Sequence, residues 1–594
     1  MGARSQASWW KRARAWKGAV KTCPRIPGGY DCPMPRTPAL LLASIVLACL
    51  DQPLAGAAPG EEEARALYAN RFSFDRRGVP LISVRIMEGQ SRVSLVAPGG
   101  LRMQPYGTDS THVAGASQWT VTLTSGVGAR ARHWVVVDRI PGALDEAERR
   151  KALALWKSRG LSDPRTMEVG ALFAVGGRVV DHRVTLVVTD PEQSQAAAEA
   201  KSRQLAAKLG RPTTLHRELL RRPTGTLTAQ APGTGLQIVS QDVLWFSPLE
   251  DGQLTVKRVE FGRGYRWHGF KDRRYLGRVY VTVDRKGQLA VVNEVPADRL
   301  LCGLVPAEMY TSAPLDALKA QAVAARGQLL AKIGTRHTTD PYLICSSQHC
   351  QVYSGAGHEH PRSTKAVEET RGMILVDQQG RLADTVYSAN AGGHTEHNEH
   401  VWGTPPNPNL RGRLDVSPED ARKLTPFARG ISEQSVRKWI LASPPAWSNR
   451  STLGVLGRFR WSVRLDQAEM DRLVRARFGA QVKRVRRIEV LSRGVSGRAT
   501  ALRIHVEEPR GEARHDVHGE LAIRRLLGNL KSSMFVVEHQ RGAVGRMEFV
   551  FRGGGWGHGV GMCQTGAIGM AEASHDFRGI LGHYYPQTRL VKLY

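Results

Sequence analysis

The chain has 594 residues, 41% of them hydrophobic, and a formal net charge of +30. That length and apolar share describe a multi-domain globular protein with large cores and exclude a disordered or fibrous chain. The charge favours anionic partners, but Lys and Arg are spread along the whole sequence with no nucleic-acid motif, so nucleic acid is set aside and an anionic surface is the class left open.

Taken in order, residues 1–57 read as an export leader. Ala39 to Leu50 (ALLLASIVLACL) is an apolar run of 12 residues, too short to span a membrane and the length of a signal-peptide core. Ala55-Gly56-Ala57 supplies small residues for cleavage, and Met34 is an alternative start. A lipoprotein anchor at Cys49 is the second reading, which Leu47 fits poorly. The expectation is export to the periplasm or cell envelope, with no transmembrane span in the mature chain. Residues 58–130 alternate apolar and polar positions (ISVRIM, RVSLVAP, WTVTLT) between Gly-containing turns and predict a small β unit. Residues 131–220 predict a strand, a helix, further strands and a second helix ending at Gly210. Residues 221–240, with RRPTGTLTAQAPGTG, read as a linker rich in Pro, Gly and Thr. Residues 241–594 form the remaining domain. The expected fold class is α+β: a mixed, strand-rich, multi-domain chain with a helix packed on β structure as the carrier of the chemistry.

That helix lies in Val305 to Ile333, VPAEMYTSAPLDALKAQAVAARGQLLAKI. Leu315, Leu318, Ala322, Ala325, Leu329 and Ile333 recur at steps of three and four, which predicts an amphipathic helix. Pro314 suits its first turn and Ser312 its cap. Glu308 stands just ahead in a Pro-led loop, where a catalytic acid would be held reproducibly. An ordinary surface glutamate is the plain alternative.

Three further stretches offer chemistry. His337, Cys345, His349 and Cys350 supply two imidazoles and two thiols, the ligand set of a closed tetrahedral zinc site, though not at zinc-finger spacing. A Cys345–Cys350 disulfide in an oxidising compartment explains the cysteines equally well. In YSANAGGHTEHNEHVW, His394, His397 and His400, with Glu396 and Glu399, form a weaker metal candidate, expected to lie on a polar loop without converging. In GGGWGHGVGMCQTG the glycines imply tight turns and close backbone approach. There Trp556 offers a stacking surface for a sugar ring, and His558 and Gln564 offer hydrogen bonds. A structural turn sealing the core is the alternative. No Gly-Lys-Ser/Thr follows, so a phosphate loop is excluded.

Together these stretches resemble the SpoIID/LytB family of bacterial cell-wall proteins. The matching pieces are VVNEVP with VPAEM, LDALKAQAVAAR, CQVYSG, the Gly-Gly segment before HTE and VWG, IRRLLG with LKSSMF, WGHGVGMCQTGA and YYPQTRLVKLY, in order over 278–594. The resemblance implies an exported lytic transglycosylase acting on peptidoglycan glycan strands stripped of peptides, with Glu308 as its one acid and base. It equally admits a non-catalytic, glycan-binding enhancer of a separate cell-wall amidase. It implies structural zinc at His337, Cys345, His349 and Cys350, and no organic cofactor. It makes Lys319, Gln321, Arg326, Tyr387, Ser388, Trp556, His558 and Gln564 candidates to line the glycan groove. Departures are Gly327 in AARGQLL, which weakens a helix by about 1 kcal/mol relative to Ala, and YSANAGG where the family is richer in Ser. The strand–helix units of 131–220 weakly resemble the SPOR repeat, a small module that binds peptide-free glycan.

Overall fold

In a computed structural model, residues 66–71, 73–108, 110–210, 213–249, 252–262, 268–454, 457–542 and 547–594 are described. The leader, Cys49 and the proposed cleavage site fall outside these residues. Among the described residues, no helix is long and apolar enough to cross a membrane.

The period-two pattern of the early strands is the pattern of the core. In Leu81–Gln90, Ile82, Val84 and Ile86 are buried while Leu81, Ser83 and Arg85 are partly exposed. This strand does not stay in an N-terminal unit. It pairs antiparallel with Leu289–Pro296 and parallel with Ile344–Cys345. A seven-stranded sheet results, in the order Ile344–Cys345, Leu81–Gln90, Leu289–Pro296, Arg278–Val283, Val243–Pro248, Leu101–Pro105, His112–Ala114. A six-stranded sheet likewise mixes early and late segments: Gln237–Gln241, Thr224–Gln230, Gln118–Val127, Arg92–Val96, Leu254–Phe261, Gly269–Tyr275. One apolar core runs from Val79 to Leu593.

The expected linker at 221–240 is therefore corrected. Thr224–Gln230 is an interior strand, with Leu227 and Ala229 fully buried, and pairs with both Gln118–Val127 and Gln237–Gln241. Its alternating Leu and Ala carry the strand signal that the surrounding Thr, Gly and Pro mask. Residues 130–221 form a four-stranded antiparallel sheet in the order Thr214–Arg221, Arg130–Pro141, Val184–Val188, Arg165–Val169. The helices Glu146–Ser158 and Gln195–Leu209 cross between its strands, so the chain follows a split β-α-β path. Asp145 closes a capping box on the first helix, and Gly210 ends the second in the left-handed conformation.

Two helices follow Leu289–Pro296: α1, Ala297–Glu308, and α2, Leu315–Lys332. α2 is not amphipathic. Protein covers it on almost every side, and Gln321 and Arg326 are fully buried alongside its alanines. Small residues on nearly all faces let α1, the helix Pro361–Glu369 and the later helix α3, Gln564–Glu572, pack around it.

Candidate active site

Glu308 is the last residue of α1, not part of a loop. Leu300, Leu301, Leu304 and Val305 pin that helix into the core. Pro306 sits in its final turn, where it does not stop the helix. The break comes at Met309, whose backbone is extended (φ −133°, ψ 146°) while its N–H still bonds Val305 O at 3.0 Å. The chain then turns through Tyr310 to Pro314, which is the N-cap of α2 without any side-chain cap, so Ser312 does not fill that role. Glu308 is thus fixed between two helix ends.

The Glu308 carboxyl is half-buried, and burial raises its pKa. The Val352 N–H, the charge of Lys332 and the Gln564 side chain each oppose that rise. Gln564, the first residue of α3, donates through Nε2 to Glu308 O at 3.0 Å and to Gln321 Oε1 at 3.2 Å. Burial and then the Glu308 charge push the Tyr387 phenol well up. A cavity of about 180 Å³ opens over the carboxyl, lined by Tyr310, Ala389, Arg458, Gln564 and Thr565 among others, and among the described residues Glu308 is the only acidic one that lines it.

The Gly-rich loop closes over this layer. Tyr387–Ser388 runs parallel to Met562–Cys563, and Cys563 Sγ accepts from Ala391 N at 3.1 Å and Gly566 N at 3.2 Å. A side chain at Gly559 (φ 77°) would run into the Arg498 guanidinium, and one at Gly561 (φ 68°) into the Val386 carbonyl. The loop leaves Trp556 exposed. His558 stays neutral, its pKa pushed down to about 3, first by burial and then by Arg498.

The His/Cys set lies one short loop away. The ligand atoms of His337, Cys345, His349 and Cys350 lie within 4.8 Å of one another. His349 Nδ1 is 3.7 Å from Cys345 Sγ and 3.6 Å from Cys350 Sγ. His337 Nδ1 is held by Asp340 at 2.8 Å, while its buried Nε2 has no partner. An imidazole fixed from behind by a carboxylate, with its other nitrogen turned into a pair of thiols, is the arrangement of a metal ligand with its outer-shell support. All four cysteines of the described residues are free. The loop continues from Cys350, whose carbonyl accepts from Lys332 Nζ at 2.5 Å, through Gln351, which bonds Ala325 O at 2.9 Å, to Val352 at Glu308.

The model for the stage II sporulation protein SpoIID family matches residues 285–376, which hold α1, α2 and the His/Cys loop. A second model, for a domain of unknown function, DUF8618, matches residues 396–561. An amidase enhancer of Bacillus subtilis is 28% identical over 377 residues, 58% of this chain and 49% of that protein. A stage II sporulation protein D of Bacillus amyloliquefaciens is 25% identical over 321 residues, 52% of this chain and 77% of that protein. The segment that holds Glu308 and the His/Cys set is thus similar to the SpoIID family. An uncharacterized protein of Brachyspira hyodysenteriae is also similar, 28% identical over 303 residues, 51% of this chain and 68% of that one.

The structure gathers some of the sequence-predicted residues and scatters others. Gln321, Tyr387 and Gln564 meet around Glu308. Ser388 lies just behind them, its Oγ accepting from Gly559 N at 3.2 Å. Arg326 does not reach the groove. It is fully buried, paired with Asp298 at 2.9 Å and bonded to Met373 O at 3.1 Å. Lys319 is likewise turned away, paired with Glu369 at 2.6 Å. Both corrections follow from α2 having no exposed polar face. His394, His397 and His400 do not converge on a metal. His394 bonds Thr395 O, His397 accepts from Gly412 N, and His400 pairs with Glu396. Glu396 is fully buried and grips the Val495–Ser496 backbone at 3.0 and 3.1 Å.

Sequence reasoning missed Tyr310, Arg458, Trp402 and Lys332. Trp402 packs its ring 5.1 Å from His558. Arg458 reaches the site from a turn in the DUF8618 region, and no local motif marks it. Lys332 looked like the end of an exposed helix, yet it is buried and its pKa falls to about 8, chiefly through burial.

Proposed function

We propose that this chain is an exported peptidoglycan lytic transglycosylase in which Glu308 is the sole general acid and base. The observation that carries the reading is the single acidic residue in the cavity, with its pKa raised by burial. A hydrolytic glycosidase ordinarily needs two carboxyls, one for the leaving oxygen and one as nucleophile or base. An intramolecular transfer needs one. Protonated Glu308 gives its proton to the oxygen between N-acetylmuramic acid and N-acetylglucosamine as the C1–O bond breaks. The muramic C6 hydroxyl then attacks C1, and the Glu308 carboxylate takes the hydroxyl proton. The sugar closes to a 1,6-anhydro end, the acid is regenerated, and no water is consumed. The Val352 N–H, Gln564 and Lys332 stabilise the carboxylate between the two proton transfers.

In this reading His337 Nε2, Cys345, His349 and Cys350 hold a zinc ion. Four protein ligands leave it no open position, so the metal supplies only stability to the loop that ends at Val352.

The second reading is a non-catalytic glycan-binding enhancer of a cell-wall amidase, favoured by the name of the B. subtilis relative. Peptide-free glycan incubated with the protein separates the two. Mass spectrometry detects 1,6-anhydro ends from the wild type and loses them with Glu308→Gln if the enzyme reading holds. Equal, negligible product from both, with stimulation of an added amidase retained in Glu308→Gln, leaves only the enhancer reading.

A further inference from the structure

A second cavity, of about 820 Å³, opens within the DUF8618 match and shares no lining residue with the Glu308 cavity. Three segments separated in sequence wall it: His397 and His400 at the short helix Asn398–Trp402, residues 429–433, and residues 490–495. Glu396 ties the last of these to the first. Its fully buried carboxylate accepts from Val495 N at 3.0 Å, Ser496 N at 3.1 Å and Ser496 Oγ at 2.6 Å, and a side chain at Gly494 would strike it.

The two imidazoles lie 5.2 Å apart between ring centres, and each is held by its Nδ1. His397 Nδ1 accepts from Gly412 N at 2.8 Å, so the neutral ring carries its proton on Nε2. Burial, and then Arg411, lower the His397 pKa and favour that neutral ring. His400 Nδ1 faces Glu396 Oε1 at 2.9 Å, and this bond raises the His400 pKa against burial. The Val495 N–H, 3.3 Å from the same nitrogen, lies nearer the carboxylate. His400 therefore favours the imidazolium, with a second N–H on Nε2. Among the described residues neither Nε2 has a partner, and neither has the exposed Arg429 side chain. Glu433, the only carboxylate that lines the cavity among those residues, is paired with Arg493. The cavity thus offers N–H donors and positive charge. A metal at His397 would need a lone pair on Nε2, which the Gly412 N–H holds on Nδ1; moving it would leave that backbone donor unpaired.

We propose that this cavity is a binding site for a phosphate ester, with His397, His400 and Arg429 as its donors. Three donors on separate segments suit a compact anion with several oxygens, whereas a carboxylate is matched by one guanidinium alone. Ile431, Val490 and Leu491 line the same cavity and offer apolar contact to the carbon part of the ester. The headgroup of an anionic lipid and a soluble phosphate ester share this chemistry. The site stands apart from Glu308, so the proposal is independent of glycan cleavage.

A chain with a net charge of +30 attracts any anion, so the test separates site from charge. It uses the full chain at about 0.15 M salt, where long-range attraction is screened. Glycerol 3-phosphate, acetate and glycerol are titrated into it by calorimetry, and binding to vesicles of phosphatidylglycerol in phosphatidylcholine is measured by sedimentation. A phosphate probe is expected to bind while glycerol does not. Arg429→Gln and His397→Gln each weaken that binding by about tenfold, as loss of one charge-assisted hydrogen bond gives. Arg429→Lys restores part of it, and Arg150→Gln, an exposed cation outside the cavity, leaves it unchanged. Arg429 is exposed and unpaired, so its variants keep the fold. Vesicle binding lost in Arg429→Gln, with weak glycerol 3-phosphate, supports the site and assigns a lipid headgroup; tight glycerol 3-phosphate without vesicle binding supports it and assigns a soluble ester. No binding of either phosphate probe, binding unchanged in Arg429→Gln, or an equal loss in Arg150→Gln overturns the proposal. Acetate binding as tightly as glycerol 3-phosphate overturns the assignment to phosphate.

Discussion

Burial lifts the Glu308 pKa above that of the unfolded chain. The fold therefore favours the protonated acid. The stability this contributes is fully present below the unfolded value, roughly 4.3, and is lost as pH rises through the folded value. Two outcomes follow for Glu308→Gln. Transglycosylation falls by about 10²- to 10⁴-fold, the usual share of a general acid. Thermal unfolding at neutral pH moves upward relative to the wild type, and the difference closes below pH 4. Calorimetry at both pH values checks the second outcome, and a lower melting temperature for the variant at neutral pH contradicts it. Activity of the wild type falls on the alkaline side as Glu308 ionises. His558, already neutral above about 3, contributes no limb to that profile in the physiological range.

At the level of single elements, α2 shows what a linear pattern leaves out. Its alanines and leucines recur at helical spacing, so its existence is plain from sequence. Its surroundings are not, because besides the adjacent α1 it is covered by Pro361–Glu369 and by α3, which lies some 230 positions further along. Gly327 is the clearest case. In an isolated helix it is a weak point, but here a Cβ would strike Thr385 Oγ1, whose hydroxyl bonds Ala324 O at 2.7 Å. Gly327→Ala is expected to destabilise the protein by about 1–3 kcal/mol through overpacking, where an exposed helix would gain stability. A denaturant titration gives the sign. The same remoteness explains Arg326, which looked like a groove residue and is the buried partner of Asp298. By contrast, Glu308, Gln564 and the His/Cys set are candidates that the motifs name, and the structure sets Gln564 against Glu308 and brings the four His/Cys ligand atoms within 4.8 Å of one another. The loop from Cys350 to Val352 couples the last of these to the first. Asp340→Ala, which frees His337 Nδ1, should weaken zinc retention by about 10- to 100-fold. Measured by competition with a chromophoric chelator, no zinc held by the wild type would argue against a metal at this site, and unchanged retention in the variant would argue against the part given to Asp340. On the proposed reading, chelation of the wild type should lower cleavage without altering its pH dependence, since an ion closed by four protein ligands would touch no reacting atom.

On the scale of the whole molecule, the N-terminal strands are structural parts of the core that carries the site. Leu81–Gln90 lies between Leu289–Pro296, which leads into α1, and Ile344–Cys345, which carries one of the two cysteines of the His/Cys set. A fragment beginning at residue 241, the boundary suggested by composition, lacks both this strand and Thr224–Gln230. It is expected to be insoluble or unfolded by circular dichroism; a cooperatively melting fragment would show that the late segments close a sheet by themselves. The mistake in that boundary has a physical source. Thr, Pro and Gly mark turns, and the eye follows them past a short buried strand whose alternation is only Leu227 and Ala229 deep.

The strand Arg589–Lys592 pairs with Met373–Val376, Leu593 enters the same core as Val79, and the Tyr594 hydroxyl bonds Asp298 at 3.2 Å. Contacts that join the two extremes of the described chain cannot form until nearly all of it has been synthesised. Folding is thus of high contact order, with a slow search. The Glu308 pocket, which draws Gln564 from 256 positions further along the chain, forms no earlier than that search allows.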